Sequence, residues 1–191
     1  MLVLSRAIGC DYATIAREGK QGGLRVNALQ YEKISAPFRA RPSLARALLA
    51  ANKALTAAFY VLYPVLLAML FFTQSALLVP CMCVPAAGFV CLSAFRARFN
   101  APRPYELLSI DPLIKKDTSG RSFPSRHVFS ATIIAMCWLA WCPLVGCVLL
   151  VADAFIAALR VIGGAHFPRD VVAGAVVGIV CGLGVLLWPL G

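Results

Sequence analysis

Long uncharged stretches separated by short arginine clusters set the pattern of this chain. Between Lys53 and Arg96 lie 42 residues without an Asp, Glu, Lys, Arg or His. A bilayer crossing takes about 20 apolar residues, so this stretch predicts two helices. Its polar break, Thr73-Gln74-Ser75, predicts a tight turn between spans near Leu55–Phe72 and Ala76–Phe95. A second uncharged run, Val128 to Ala152, continues past Asp153 to Leu159 and is interrupted by Pro143. A proline ends one helix and can open the next, which predicts spans near His127–Cys142 and Leu144–Ile162. The last 21 residues, Val171–Gly191, carry no charge and predict a fifth span. The expected fold class is all-α: a polytopic membrane helix bundle of about five transmembrane helices, formed by residues 54–191.

Composition agrees with that pattern and excludes other classes. The chain is 61% hydrophobic and only 14% charged, with a mean hydropathy of +0.82. Soluble domains run at about 45–50% apolar and about 25% charged. Disorder needs low hydrophobicity, and a nucleic-acid binder would gather its basic residues on a polar domain. Here the net charge of +10 is interleaved with apolar runs. The first 50 residues hold eight Lys/Arg against three Asp/Glu. Residues 1–53 therefore read as a basic N-terminal arm at the membrane surface, with a helix start at Pro42-Ser43-Leu44 and Leu44–Leu49 lying on the surface before the first span. No signal peptide is expected, because the apolar run begins too late.

Five spans put the arm, the segment Arg96–Arg126 and the pair Arg160 and Arg169 on one face, while the turns at Gln74 and Pro143 carry no Lys or Arg. The positive-inside rule makes that face cytoplasmic, and an inner (plasma) membrane location is expected. Seven of the eight cysteines fall within or at the end of predicted spans and read as small packing residues, not a disulfide scaffold or a metal site.

Both histidines and many of the arginines fall in three stretches of the basic face. They are Arg96-Ala-Arg-Phe-Asn-Ala-Pro-Arg103-Pro104-Tyr105-Glu106, Ser122-Phe-Pro124-Ser125-Arg126-His127, and Arg160-Val-Ile-Gly-Gly-Ala-His166-Phe-Pro-Arg-Asp170. This is an inventory for a phosphate ester. Guanidinium groups bind phosphoryl oxygens bidentately and keep their charge. Ser125 is placed to cap the third span, leaving the amides of Arg126 and His127 facing the same anion. One neutral imidazole can attack phosphorus while a second, protonated, supplies the leaving alkoxide. Asp170 lies four residues after His166, one helical turn, where a carboxylate can hold the imidazole in its nucleophilic tautomer. No acidic cluster suits Mg²⁺, so a mechanism without metal or other cofactor is expected.

These motifs resemble the type 2 phosphatidic acid phosphatase superfamily, which also includes glucose-6-phosphatase and the soluble vanadium haloperoxidases. The family pattern is K-x6-R-P, P-S-G-H and S-R-x5-H-x3-D. Here it reads Arg96-x6-Arg103-Pro104, Pro124-Ser125-Arg126-His127 and Leu159-Arg160-x5-His166-x3-Asp170, in order and with matching internal spacings over roughly residues 96–170. Three positions depart: Arg96 stands for lysine, Arg126 for glycine and Leu159 for serine. The resemblance implies that His166 forms a phosphohistidine, that Asp170 orients it and that His127 is the general acid. Arg96, Arg103, Ser125 and Arg160 then bind phosphate, with Arg126 on phosphate or head group. Family members commonly have six spans; the two expected before the first motif, rather than three, put the active site on the cytoplasmic side.

The implied activity is hydrolysis of a lipid phosphate or diphosphate, such as phosphatidylglycerol phosphate, phosphatidic acid or a polyprenyl diphosphate. Transfer of the phosphoryl group to an alcohol, or a catalytically retired lipid-binding or transport protein, are the alternatives. The 31-residue segment Arg96–Arg126 is long for a connector and is expected to cap the site and select the head group through Tyr105, Glu106 and Asp111. Asp153 is an intramembrane acid seven residues before Arg160 and on the same helix face, either a functional candidate or a structural partner for a loop arginine. Gly174-x3-Gly178-x3-Gly182 offers close helix packing, inside the chain in the first instance and through a homodimer as the alternative.

Overall fold

A computed structural model describes residues 28–108, 110–115 and 119–188. The arm before Ala28, Lys116 and the last three residues lie outside them. Among the described residues the chain is helical: α1 (Ala28–Ala40), α2 (Pro42–Phe72), α3 (Leu78–Phe99), the single turn α4 (Pro104–Leu107), α5 (Arg126–Trp141), α6 (Pro143–Ile162) and α7 (Pro168–Leu186). The five predicted spans correspond to α2, α3, α5, α6 and α7.

Boundaries differ from the sequence reading at the first and last spans. The first span starts at Pro42 instead of Leu55 and runs unbroken for 31 residues, about 46 Å at the helical rise of about 1.5 Å. Leu44–Leu49 is thus the first part of the spanning helix, not a separate surface segment. Arg46 and Lys53 sit within it, because charge opposes burial in lipid and does not oppose helix formation. The last helix begins at Pro168, a favoured first-turn residue. Among the described residues, only α2, α3, α6 and α7 are long and apolar enough to cross a membrane.

The exception, α5, has 16 residues, of which ten, from Val128 to Trp138, are buried. It is the axis of the bundle. Phe129 and Ile133 pack with Leu92 of α3 and Val177 and Cys181 of α7. Val128, Ala131, Ala135 and Trp138 join a second cluster with Phe59, Leu66 and Leu70 of α2 and Leu149 and Ile156 of α6. The outer helices turn apolar side chains outward, among them Tyr60, Phe71, Val90, Val148, Phe155 and Val180. That inversion suits lipid as the surrounding medium.

The glycine stripe of α7 is used inside the chain. A Cβ on Gly174 would stand 2.6 Å from the Ser125 carbonyl oxygen, one on Gly178 2.6 Å from Thr132 Cβ, and one on Gly182 2.4 Å from Met136 Cβ. All three glycines are buried against α5. The stripe thus serves the packing of α7 on α5 inside the chain.

Candidate active site

At one end of the bundle the C-termini of α3 and α6 meet the N-termini of α5 and α7, so the three motif stretches converge. The nucleophile loop Gly163–Phe167 joins α6 to α7. Its backbone folds onto Arg160, whose carbonyl accepts from the amides of Ala165 (3.0 Å) and His166 (3.3 Å). Gly164 has φ +72°, and a Cβ there would stand 2.7 Å from the Tyr31 hydroxyl oxygen. Both the left-handed backbone and the close approach of α1 call for glycine.

His166 is 2% exposed and Asp170 is fully buried. Their Nδ1 and Oδ2 atoms lie 3.7 Å apart. Ser122 completes the set: its hydroxyl donates to Asp170 Oδ2 at 2.5 Å and its oxygen lies 3.4 Å from His166 Nδ1. The Phe167 amide also donates to Oδ2, at 3.1 Å. With the one hydroxyl proton of Ser122 committed to the carboxylate, everything facing Nδ1 is an acceptor. The proton of the neutral ring therefore resides on Nδ1, leaving the Nε2 lone pair for chemistry. Burial pushes the imidazole pKa down from 6.5 to about 4, with Arg103 and Arg160 adding to the drop and Asp170 opposing it. The ring is neutral at physiological pH.

The arginines divide into two groups. Arg96 donates to the carbonyls of Arg121, Ser122 (3.3 Å) and Pro124, tying the loop before α5. Arg103 donates from Nε to Gly120 (3.0 Å) and from Nη1 to Ala165 (3.1 Å), tying that loop to the nucleophile loop. Arg160, 3% exposed, has Nε and Nη1 without a hydrogen-bond partner, as does the buried Ser125 Oγ. Ser125 occupies the expected N-cap position of α5, but its hydroxyl makes no cap hydrogen bond; its amide is held by the Asp170 carbonyl at 2.8 Å. Buried donors without partners are costly, so these atoms mark where an anion fits. Arg126 is exposed at the start of α5, its guanidinium 5.5 Å from the centre of the Phe89 ring. Arg103, Arg121 and Arg126 all exert their charge on Arg96, and this concentration favours a multiply charged anion.

His127, in the first turn of α5, lines a cavity with Thr56, Phe59 and Tyr60 of α2, Ser130, Ala131 and Ile134 of α5, and Ile156 of α6.

Glu106, expected on the head group, is engaged within its own segment. Its carboxylate accepts from the Arg103 amide at 2.6 Å and the Gly120 amide at 2.7 Å, which closes the long segment on itself. Asp111 is likewise paired, with Arg39 at 3.8 Å and Lys115 at 3.7 Å. Tyr105 is half-buried in α4. Two residues went without a role in the sequence reading. Ser122 is recognised only by a contact 48 positions away, and Tyr31 of α1 is 3% exposed against the nucleophile loop. Neither carries a local signal.

The helices and this end of the bundle define an all-α integral membrane protein with a buried histidine–aspartate pair beneath clustered arginines. The family model described as "PAP2 superfamily" matches residues 76–190, and the chain belongs to that superfamily. The solved structure of LpxE from Aquifex aeolicus is similar, with 29% sequence identity, a TM-score of 0.66, and coverage of 85% of this chain and 95% of that one. So is that of a transmembrane PAP2-type phosphatidylglycerolphosphate phosphatase from Bacillus subtilis, with 21% identity, a TM-score of 0.64, and coverage of 91% and 90%. No curated protein matches the sequence significantly.

Proposed function

We propose that the protein hydrolyses a lipid phosphate or diphosphate at the membrane surface through a phosphohistidine. The observation that carries this reading is the pairing of an Nδ1-protonated, neutral His166 with the unpartnered donors of Arg160 and Ser125. His166 Nε2 attacks phosphorus and the bond to the leaving oxygen breaks, that oxygen taking a proton from His127. Positive charge arising on the ring is met by Asp170, whose orientation Ser122 and the Phe167 amide hold. Water then attacks the phosphoryl group, giving a proton to His127, and the phosphorus–Nε2 bond breaks to release phosphate. Arg96 and Arg103 supply field and loop geometry, and Arg126 meets the phosphate or head group from the rim. No three His, Cys, Asp or Glu side chains among the described residues are grouped to hold a metal ion, and no step above needs one.

A site at the end of an apolar bundle suits an amphiphile whose phosphate reaches the arginines while its chains remain in lipid. The similarity to the Bacillus subtilis phosphatidylglycerolphosphate phosphatase supports a phosphorylated glycerolipid as substrate. The basic end, with no Lys or Arg at the opposite turns, supports a cytoplasmic site in an inner membrane. The test is phosphate release in detergent micelles containing EDTA, from phosphatidylglycerol phosphate, phosphatidic acid and a polyprenyl diphosphate. Release that survives EDTA and is inhibited by vanadate, a mimic of five-coordinate phosphorus, is expected. Release abolished by EDTA would reject the metal-free mechanism, and none from any lipid by folded protein would reject the hydrolase.

The arm takes part in this site through Tyr31. Tyr31→Ala removes the wall behind Gly164 and should lower kcat about tenfold with the protein still folded, since small displacements of reacting groups are expensive. Tyr31→Phe, which keeps the ring, should stay near wild type. Equal activity in all three proteins would show that α1 is only a surface anchor.

A further inference from the structure

Asp153 takes no part in the chemistry above, yet it is one of the most constrained side chains in the bundle. It lies in α6, 4% exposed, with Oδ2 2.5 Å from Thr132 Oγ1 of α5 and Oδ1 without a partner. Thr132 Oγ1 also stands 2.9 Å from the Val128 carbonyl oxygen. A hydroxyl has one proton and a carbonyl oxygen can only accept. If Thr132 donates to Val128, its contact with Asp153 needs a proton from the carboxyl group. If Thr132 donates to Asp153, a buried carboxylate is left with one hydrogen bond, a bare second oxygen and no ion pair among the described residues. Burial of the carboxyl group inside the bundle makes that second state the expensive one. Arg160 does not relieve it, being two helical turns, about 10 Å, along the same helix.

We infer that Asp153 is a protonated carboxyl that donates to Thr132, which donates to the Val128 carbonyl, and that this chain fixes the register of the helices carrying the active site. Val128 directly follows His127. Asp153 lies on the buried seam of α6 that ends at Arg160. Thr132 meets α7 at Gly178, where any Cβ would come within 2.6 Å of its own. One hydrogen-bonded junction thus ties α5 to α6 at a level where α7 also packs closely. Buried polar groups that set register are the best-attested use of such pairs. Asp153 is a positioning residue: it acts through helix placement and touches no reacting atom. The consequence for activity rests on the phosphatase reading, but the protonation state does not.

The test has two independent arms. Infrared spectra of the wild-type protein in lipid vesicles at neutral pH should contain a protonated-carboxyl C=O stretch, well separated from the carboxylate bands, that is missing from Asp153→Asn. Identical spectra in that region would overturn the inference whether or not the protein is a phosphatase. In turnover, Asp153→Asn retains a donor for Thr132 and should keep kcat within about threefold. Asp153→Ala leaves Thr132 without that donor and should lower kcat about 10- to 100-fold at unchanged KM, the scale of a misplacement of about 1 Å. If Asp153→Asn loses as much as Asp153→Ala, the negative charge is what matters and the register role is wrong. If Asp153→Ala does not fold, the infrared spectrum and the Asp153→Asn turnover decide. Loss of phosphatase activity in the wild type itself would strike only the functional reading.

Discussion

His166→Ala is expected to reduce phosphate release by about 10⁴-fold or more, to the level of an enzyme-free control, because on the proposed mechanism it removes the nucleophile and not a supporting contact. Asp170 and Ser122 would remain to hold one another, so the variant should fold and still bind substrate. A rapid alkaline quench of wild type with labelled substrate should trap a phosphorylated enzyme that is stable in base and labile in acid, as a phosphorus–nitrogen bond is. The variant should trap none. Residual turnover within about tenfold of wild type would mean that water attacks phosphorus directly and that His166 serves only as a base or a phosphate ligand.

The pH dependence of the same step follows from the ring's surroundings. The nucleophile must be neutral, and burial lowers its pKa from 6.5 to about 4. A lowered pKa extends the neutral form toward acid, so the active fraction is full at neutral pH and is lost only as pH falls through about 4. After allowance for the substrate phosphate, which has its own ionisation near 6, the acid limb of kcat/KM should lie about two units below that of an exposed histidine. A limb remaining near 6.5 would place the titrating imidazole in water, at odds with a side chain that is 2% exposed.

The helices were legible because lipid and protein interior ask for the same apolar residues, and the same equivalence hid what distinguishes them. The apolar run of α5 reads like its neighbours, yet α5 is the buried axis and the other four long helices face outward. Hydropathy reports membrane thickness and not helix length, which is why α2 begins 13 residues before its apolar run. Within the site, His166 and Asp170 could be paired from sequence because one helical turn brings them together. Glu106 could not be placed, since its role as N3 carboxylate of the one-turn α4 follows an arginine at the N-cap and not the usual Ser or Thr. Ser122 and Tyr31 depend on contacts that only the folded chain creates. The arginines were all legible as cations, but nothing in their spacing separates Arg96 and Arg103, which brace loops, from Arg160, whose donors remain open.

His127→Ala should produce the second large effect, and one that depends on the substrate. A general acid contributes about 10²- to 10⁴-fold, and it does so only where the leaving group needs a proton. Release from an alkyl ester such as phosphatidic acid should fall by that factor in the variant. An aryl phosphate such as p-nitrophenyl phosphate departs as a stable anion, so phosphorylation of His166 by it should slow less than about tenfold. In the proposed mechanism His127 is also the base that takes a proton from water in the second step. The variant should therefore give a burst of nitrophenol equal to the enzyme present, followed by slow turnover, with phosphorylated His166 accumulating behind the blocked step. Equal losses on the alkyl and aryl esters in a single turnover, with no accumulated intermediate, would assign His127 to binding phosphate and leave the leaving group to another donor.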